Sequence, residues 1–188
     1  MCHHERRNMI FFTADTHYGH ANIINLCNRP FTSVEEMDAK LIANHNAVVG
    51  ENDTVYHIGD FAFGNLYTVE KYFTRLNGRI RIIPGGHDKW AFSETKKIIT
   101  RTGYRVEVLP QLYSLRVGEL VVILCHYAMR TWEKSHYGSI HLYGHSHGNL
   151  PALNRSMDVG VDCNNFYPLS LADVERGIGN EQNDKNTP

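Results

Sequence analysis

MIFFTADTHYGH, residues 9–20, carries the reading of the fold. Residues 9–14 are apolar and rich in β-formers, which reads as a buried strand. The run stops at Asp15-Thr16-His17, a polar cluster with no place inside such a strand. The same succession recurs downstream. TVYHI at 54–58 runs into Gly59-Asp60, and residues 79–83 run into Pro84-Gly85-Gly86-His87-Asp88. Helical stretches separate these strands. A short helix is expected over 21–27, ended before Pro30. A second begins at Ser33, with Glu36 completing a capping box. It puts Val34, Met37, Leu41, His45 and Val48 on one face and ends at Gly50. Further helices are expected over 67–76 and 93–101. This β-α-β-α-β-α order predicts parallel strands with right-handed crossovers.

The second half changes character. Residues 104–109, 112–117 and 120–125 are three strand-like runs with short links, and Val117-Gly118-Glu119 reads as a hairpin turn. The third run ends at His126. Another strand, 140–143, leads into Gly144-His145-Ser146-His147-Gly148, and a late strand is expected over 155–161. A capped helix follows over 170–176. The expected organisation is a tail at 1–8, a single two-sheet domain at 9–178 flanked by helices, and a polar, disordered tail at 179–188.

The chain has 188 residues, 42% of them hydrophobic and 21% charged, so a substantial core is available. A net charge of −1 leaves no basic excess for gripping extended nucleic acid. Four dispersed cysteines without a C-x-x-C pair read as reduced thiols. No membrane span or signal peptide is evident, and a cytoplasmic location is expected.

Histidine is the abnormal count, at twelve. Polar clusters follow five predicted strands: Asp15-Thr16-His17, Gly59-Asp60, Gly86-His87-Asp88, His126 and His145-Ser146-His147. Loops beyond the carboxyl ends of parallel strands are where α/β sheets build sites. Carboxylates with neutral imidazoles suit Mn²⁺, Fe, Zn²⁺ or Ni²⁺. The candidates exceed what one tetrahedral ion needs, so two ions sharing a bridging carboxylate are expected. Two ions about 3.5–4 Å apart can hold a hydroxide and clamp phosphoryl oxygens.

In this order TADTH (13–17), HIGDF (57–61), PGGHD (84–88), LCHY (124–127) and YGHSHG (143–148) resemble the calcineurin-like metallophosphoesterase superfamily. The resemblance implies a four-layer αββα fold, a two-sheet β-sandwich of mixed sheets between helices. It implies that Asp15, His17 and His147 hold a first ion, that Asp60 bridges, and that His126 and His145 hold a second. Spacing alone does not divide His145 from His147 between the ions. The catalytic roles fall to His87, as proton donor beside the scissile phosphate, and to Asp88, as the carboxylate orienting its imidazole. One position departs from the pattern. Gly86 stands where the motif has asparagine, so one oxygen ligand is missing and the second site is expected to be weakened.

The expected activity is hydrolysis of a small phosphate ester, a phosphodiester or nucleotide before a monoester, by attack of a metal-bridging hydroxide. The alternative is a binding or scaffold module of the same fold with weakened catalysis, which Gly86 motivates. His20, Asn22 and Arg130 are the candidate substrate contacts. Tyr127, Trp132 and Tyr137 are read first as packing and second as base-stacking groups.

Overall fold

The computed structural model describes residues 8–92, 98–151 and 153–184. The first sheet is built from β1 (Ile10–Thr13), β2 (Thr54–His57), β3 (Arg79–Ile82), β4 (Glu107–Val108) and β9 (Leu169–Ser170), in the order β4-β3-β2-β1-β9. The first four run parallel, with Phe11 opposite Val55 and Val55 opposite Ile80, and β9 closes the edge antiparallel. The second sheet has the order β5-β6-β7-β8, from β5 (Leu112–Val117), β6 (Leu120–Cys125), β7 (Ile140–Tyr143) and β8 (Ser156–Asp158). Here β5 and β6 form an antiparallel hairpin in which Val117 pairs with Leu120. Gly118 adopts φ 58° at its turn, a conformation that glycine reaches without a Cβ clash. Both sheets are therefore mixed, and the fold is an α/β two-sheet sandwich.

The strands of the first sheet bury both faces, and alternation assigns each side chain to one of two cores. Phe11, Val55, Ile80 and Ile82 face the helices α1 (Ala21–Leu26), α2 (Val34–Val48) and α3 (Leu66–Phe73), meeting Met37, Leu41, Val69 and Phe73. Phe12, Tyr56, Ile58 and Ile83 face the second sheet, meeting Val122, Leu124, Ile140 and Leu142. Each such fully buried side chain contributes about 1.5–3 kcal/mol. Helix α4 (Leu171–Asp184) adds Val174 and Ile178 to this second core and touches β1, β8 and β9, closing the sandwich at one side. The 126–139 connection packs on His141 of the second sheet. Its Trp132 packs on the His141 ring at 5.4 Å, and the Met129 N–H donates to His141 Nε2.

Capping follows the sequence closely. Ser33 Oγ accepts from the Glu36 N–H, while Glu36 reaches back to the Thr32 N–H instead of that of Ser33. Asn65 Oδ1 caps α3 by accepting from the Thr68 N–H. Some expectations need correction. Residues 98–100 are extended, and Ile99 bridges Arg105, so the helix expected over 93–101 does not reach its predicted end. Its first five positions lie outside the described residues. The late strand is shorter than expected and gives way to a 3-10 turn at Val161–Cys163. Helix α4 runs past residue 176 to Asp184, through positions read as tail. None of the described helices is long and apolar enough to cross a membrane.

Candidate metal centre

The ends of β1, β2, β6 and β7 and the loop after β3 meet above the sandwich. Pairing continues past β1 and β2 into their loops. The N–H groups of Asp15, His17 and Tyr18 donate to the carbonyls of Gly59, Asp60 and Phe61 at 3.0, 3.0 and 2.9 Å. Two groups drawn wholly from the motif residues result, each with its ligand atoms within 4.8 Å of one another. One is Asp15, His17 and His147, and the other is Asp60, His126 and His145. Asp60 stands between them. Its Oδ2 lies 3.6 Å from His17 Nε2, 3.4 Å from His126 Nε2 and 3.9 Å from His87 Nε2.

The backbone at these positions is unusual. Asp15, His17, Asp60, His145 and His147 all have φ between 47° and 67°. This left-handed region costs most L-residues of order 1 kcal/mol or more, although Asp and His enter it more readily than others. Close approach then demands glycine at two neighbours. A Cβ on Gly59, at φ 83°, would lie 2.4 Å from His126 Nδ1, and one on Gly85 would lie 2.4 Å from Asp60 Oδ1.

Ring nitrogens are set in definite directions. His126 Nδ1 donates to the Ile58 carbonyl at 2.8 Å, which leaves Nε2 as a lone pair facing Asp60. His147 Nδ1 donates to Asp162 Oδ2 at 2.7 Å, fixing its tautomer in the same way. Buried His126 Nε2 and both ring nitrogens of His17 have no hydrogen-bond partner in the structure. Such atoms are costly to bury without a partner, and a divalent cation is a partner that suits lone pairs from imidazole and carboxylate together.

Electrostatics follows from burial. Burial pushes the His17 imidazole down to about 3, so it is neutral and available as a ligand at neutral pH. Burial pushes the Asp15 carboxyl up to about 7, against the opposing charges of His126 and His147. Burial also works against Asp60, but the charge of His126, with the His87 N–H and His17, holds it below the ordinary carboxylate range.

The remaining candidates divide. His87 is half-exposed, and its N–H donates to Asp60 Oδ1 at 2.9 Å. It lines a cleft of about 410 Å³ with His17, His20, Asp60, Gly86, His145 and His147. His20 stacks on Phe63, with ring centroids 4.8 Å apart and planes 15° apart. Asp88 does not meet the His87 imidazole. It is fully buried, and its two oxygens accept from the N–H groups of Asp60, Phe61 and Gly85 and from Trp90 Nε1. Its work is to fix the loops that carry Asp60 and His87. Asn22 is exposed on α1 and does not line the cleft. Arg130 lines a separate cavity with Met129, Tyr143 and Leu150, so sequence proximity to His126 misplaces it.

Arg29 and Asp162 lie in no motif, and sequence reasoning misses both. Asp162 accepts from Arg29 Nε and Nη2, both at 2.8 Å, besides holding His147. Arg29 also donates to the carbonyls of Asp15 and Thr16, at 2.7 and 3.1 Å. The pair therefore ties the first loop to the last.

No protein-family model matches the chain. The uncharacterized protein MJ1445 of Methanocaldococcus jannaschii is 35% identical over 171 residues, 86% of each chain. Among solved structures, a protein of unknown function, AQ665 from Aquifex aeolicus, aligns over 92% of this chain and all of its own, with TM-score 0.70 and 21% identity. A novel archaeal phosphodiesterase aligns over 80% of this chain and 81% of its own, with TM-score 0.48 and 20% identity. The chain belongs to one family with MJ1445, and it shares the fold of the Aquifex protein. Within this fold, the five motif stretches occupy the strand ends and loops that converge on Asp60.

Proposed function

We propose that this chain is a metal-dependent phosphoesterase acting on a small phosphate ester, with a phosphodiester of nucleotide size favoured. Asp15, His17 and His147 would hold one divalent ion, His126 and His145 a second, and Asp60 would reach both. Mixed carboxylate and imidazole donors suit Mn²⁺, Fe, Zn²⁺ or Ni²⁺ better than Mg²⁺. The observation that carries this reading is the set of buried, unpartnered nitrogens of His17 and His126 beside Asp60 Oδ2. When bound, the ions supply water activated at neutral pH and neutralise charge on phosphoryl oxygens.

The chain's own groups account for the rest. His87 stands on the cleft wall, where it can give a proton to the leaving oxygen. The His20–Phe63 stack lies beside it, with Phe63 half-exposed, and offers an apolar face to a base or aryl group. That wall supports a nucleotide-like substrate. The absent side chain at Gly86 favours a second reading, a binding module with weakened catalysis.

One experiment separates the two. The protein is stripped of metal, reloaded with Mn²⁺, and assayed on bis(p-nitrophenyl) phosphate and p-nitrophenyl phosphate. The expected result is metal-dependent hydrolysis, faster for the diester and abolished by Asp60→Ala. Two bound ions without hydrolysis of either ester, before and after Gly86→Asn, would favour the binding module.

A further inference from the structure

Gly86 lines the cleft, and the Tyr127 hydroxyl lies against it. A Cβ placed on Gly86 would lie 3.3 Å from Tyr127 Oη and within 4 Å of no other nearby atom. Gly86 has no left-handed φ, so its backbone does not itself demand glycine. The phenol oxygen thus sits in the space toward which a side chain at position 86 would point. Its placement is set by the second ligand group. The Tyr127 ring meets His126 edge-on at 4.9 Å and 72°, and His145 at 4.8 Å and 70°. Tyr127 is 46% exposed, and among the described residues its hydroxyl makes no hydrogen bond.

We propose that Tyr127 Oη donates a hydrogen bond to a phosphoryl oxygen of the substrate, supplying the polar group that residue 86 lacks. The inference rests on the phosphoesterase reading above. Metal ligation would require the phenol to lose its proton, whereas donation to an anion uses the O–H as it stands. Among the described residues the hydroxyl has no competing partner to give up, and the edge-on imidazoles of His126 and His145 restrict where it can point.

The test uses the Mn²⁺-loaded wild type, Tyr127→Phe, Gly86→Asn and the double variant. Metal content is counted by elemental analysis, and affinity for inorganic phosphate is measured by calorimetry. Tyr127→Phe is expected to keep its metal and to bind phosphate about 10-fold or more weakly, the loss for a hydrogen bond to a charged group. Gly86→Asn is expected to recover affinity in the Tyr127→Phe background, where the hydroxyl has vacated the space. In the wild-type background it would crowd the hydroxyl and give no gain, so the two substitutions are non-additive. Unchanged phosphate affinity in Tyr127→Phe would overturn the inference. So would loss of an ion, which would assign the hydroxyl to the metal. Failure of the metal-loaded wild type to bind phosphate would instead sink the phosphoesterase reading, and this inference with it.

Discussion

Asp162→Asn probes the part of the site that no motif announces. Asp162 Oδ1 accepts from Arg29 Nε, and Oδ2 accepts from Arg29 Nη2 and from His147 Nδ1. The Arg29 side chain has no exposure and that of Asp162 only 9%. Asparagine keeps the shape but removes the charge, and its amide nitrogen can accept neither bond. Breaking a buried ion pair outright costs about 3–5 kcal/mol. The amide oxygen retains part of the pairing, so a loss of about 2–3 kcal/mol is expected here. A second consequence falls on His147, which must share one acceptor with Arg29 or lose it. Removing the hydrogen-bond partner of a ligating imidazole costs about 10–100-fold in metal affinity. Two measurements check this: urea unfolding of the metal-free protein, and calorimetric Mn²⁺ titration in a His126→Ala background, where the first site alone is intended to remain. The expected outcome is a lower urea midpoint and weaker binding at the site of Asp15, His17 and His147. Wild-type affinity at that site in the Asp162→Asn variant would refute the argument that Asp162 sets its geometry.

Other predictions follow from single residues. His87→Gln should retain metal and lower kcat by about 10²–10⁴ on a diester with an alkyl leaving group. It should matter far less for p-nitrophenolate, which needs no proton, and equal losses on both would remove His87 from the role of acid. Stability should depend on pH through two fully buried imidazoles that belong to neither ligand group. Full burial holds His45 at about 4 and His57 at about 3, the latter also disfavoured by the charge of His45. Both folded values lie below the unfolded value of about 6.5, so the unfolded chain takes up these protons first. Stability is then complete above pH 6.5 and falls as pH drops toward 4, by about 2 kcal/mol per imidazole between pH 6.5 and 5. Urea midpoints of metal-free protein across this range should show the decline, and His45→Gln should lessen it; an identical slope in the variant would contradict the assignment.

Much of this was legible because two periodicities coincide with the chemistry. Strand-like runs ending in Asp, His and Gly announce both the sheet and the loops at its end, so the six ligand candidates can be named from the sequence. The misses share a cause, which is that neighbours in sequence need not be neighbours in space. Asp88 follows His87, yet the chain turns one side chain to the cleft and the other inward to four N–H groups. Arg130 follows His126 by four residues and faces another cavity. Conversely, Arg29 and Asp162 lie 133 residues apart, and no period or spacing links them. Strand β9 has two residues, too few for any alternation to declare itself.

The left-handed backbone explains why loops, and not the strands themselves, carry the ligands. In an extended strand, successive side chains alternate faces, so Asp15 and Asp60 could not turn toward one another from neighbouring parallel strands. A single residue at positive φ reverses the chain locally and redirects its side chain, and five such residues do so at the same end of the sandwich. Each conformation is unfavourable alone. The loops hold it through inter-loop backbone bonds, through the four N–H groups on Asp88, and through the Arg29 bonds to the Asp15 and Thr16 carbonyls. Glycine at 59 and 85 is what lets the walls around Asp60 approach so closely.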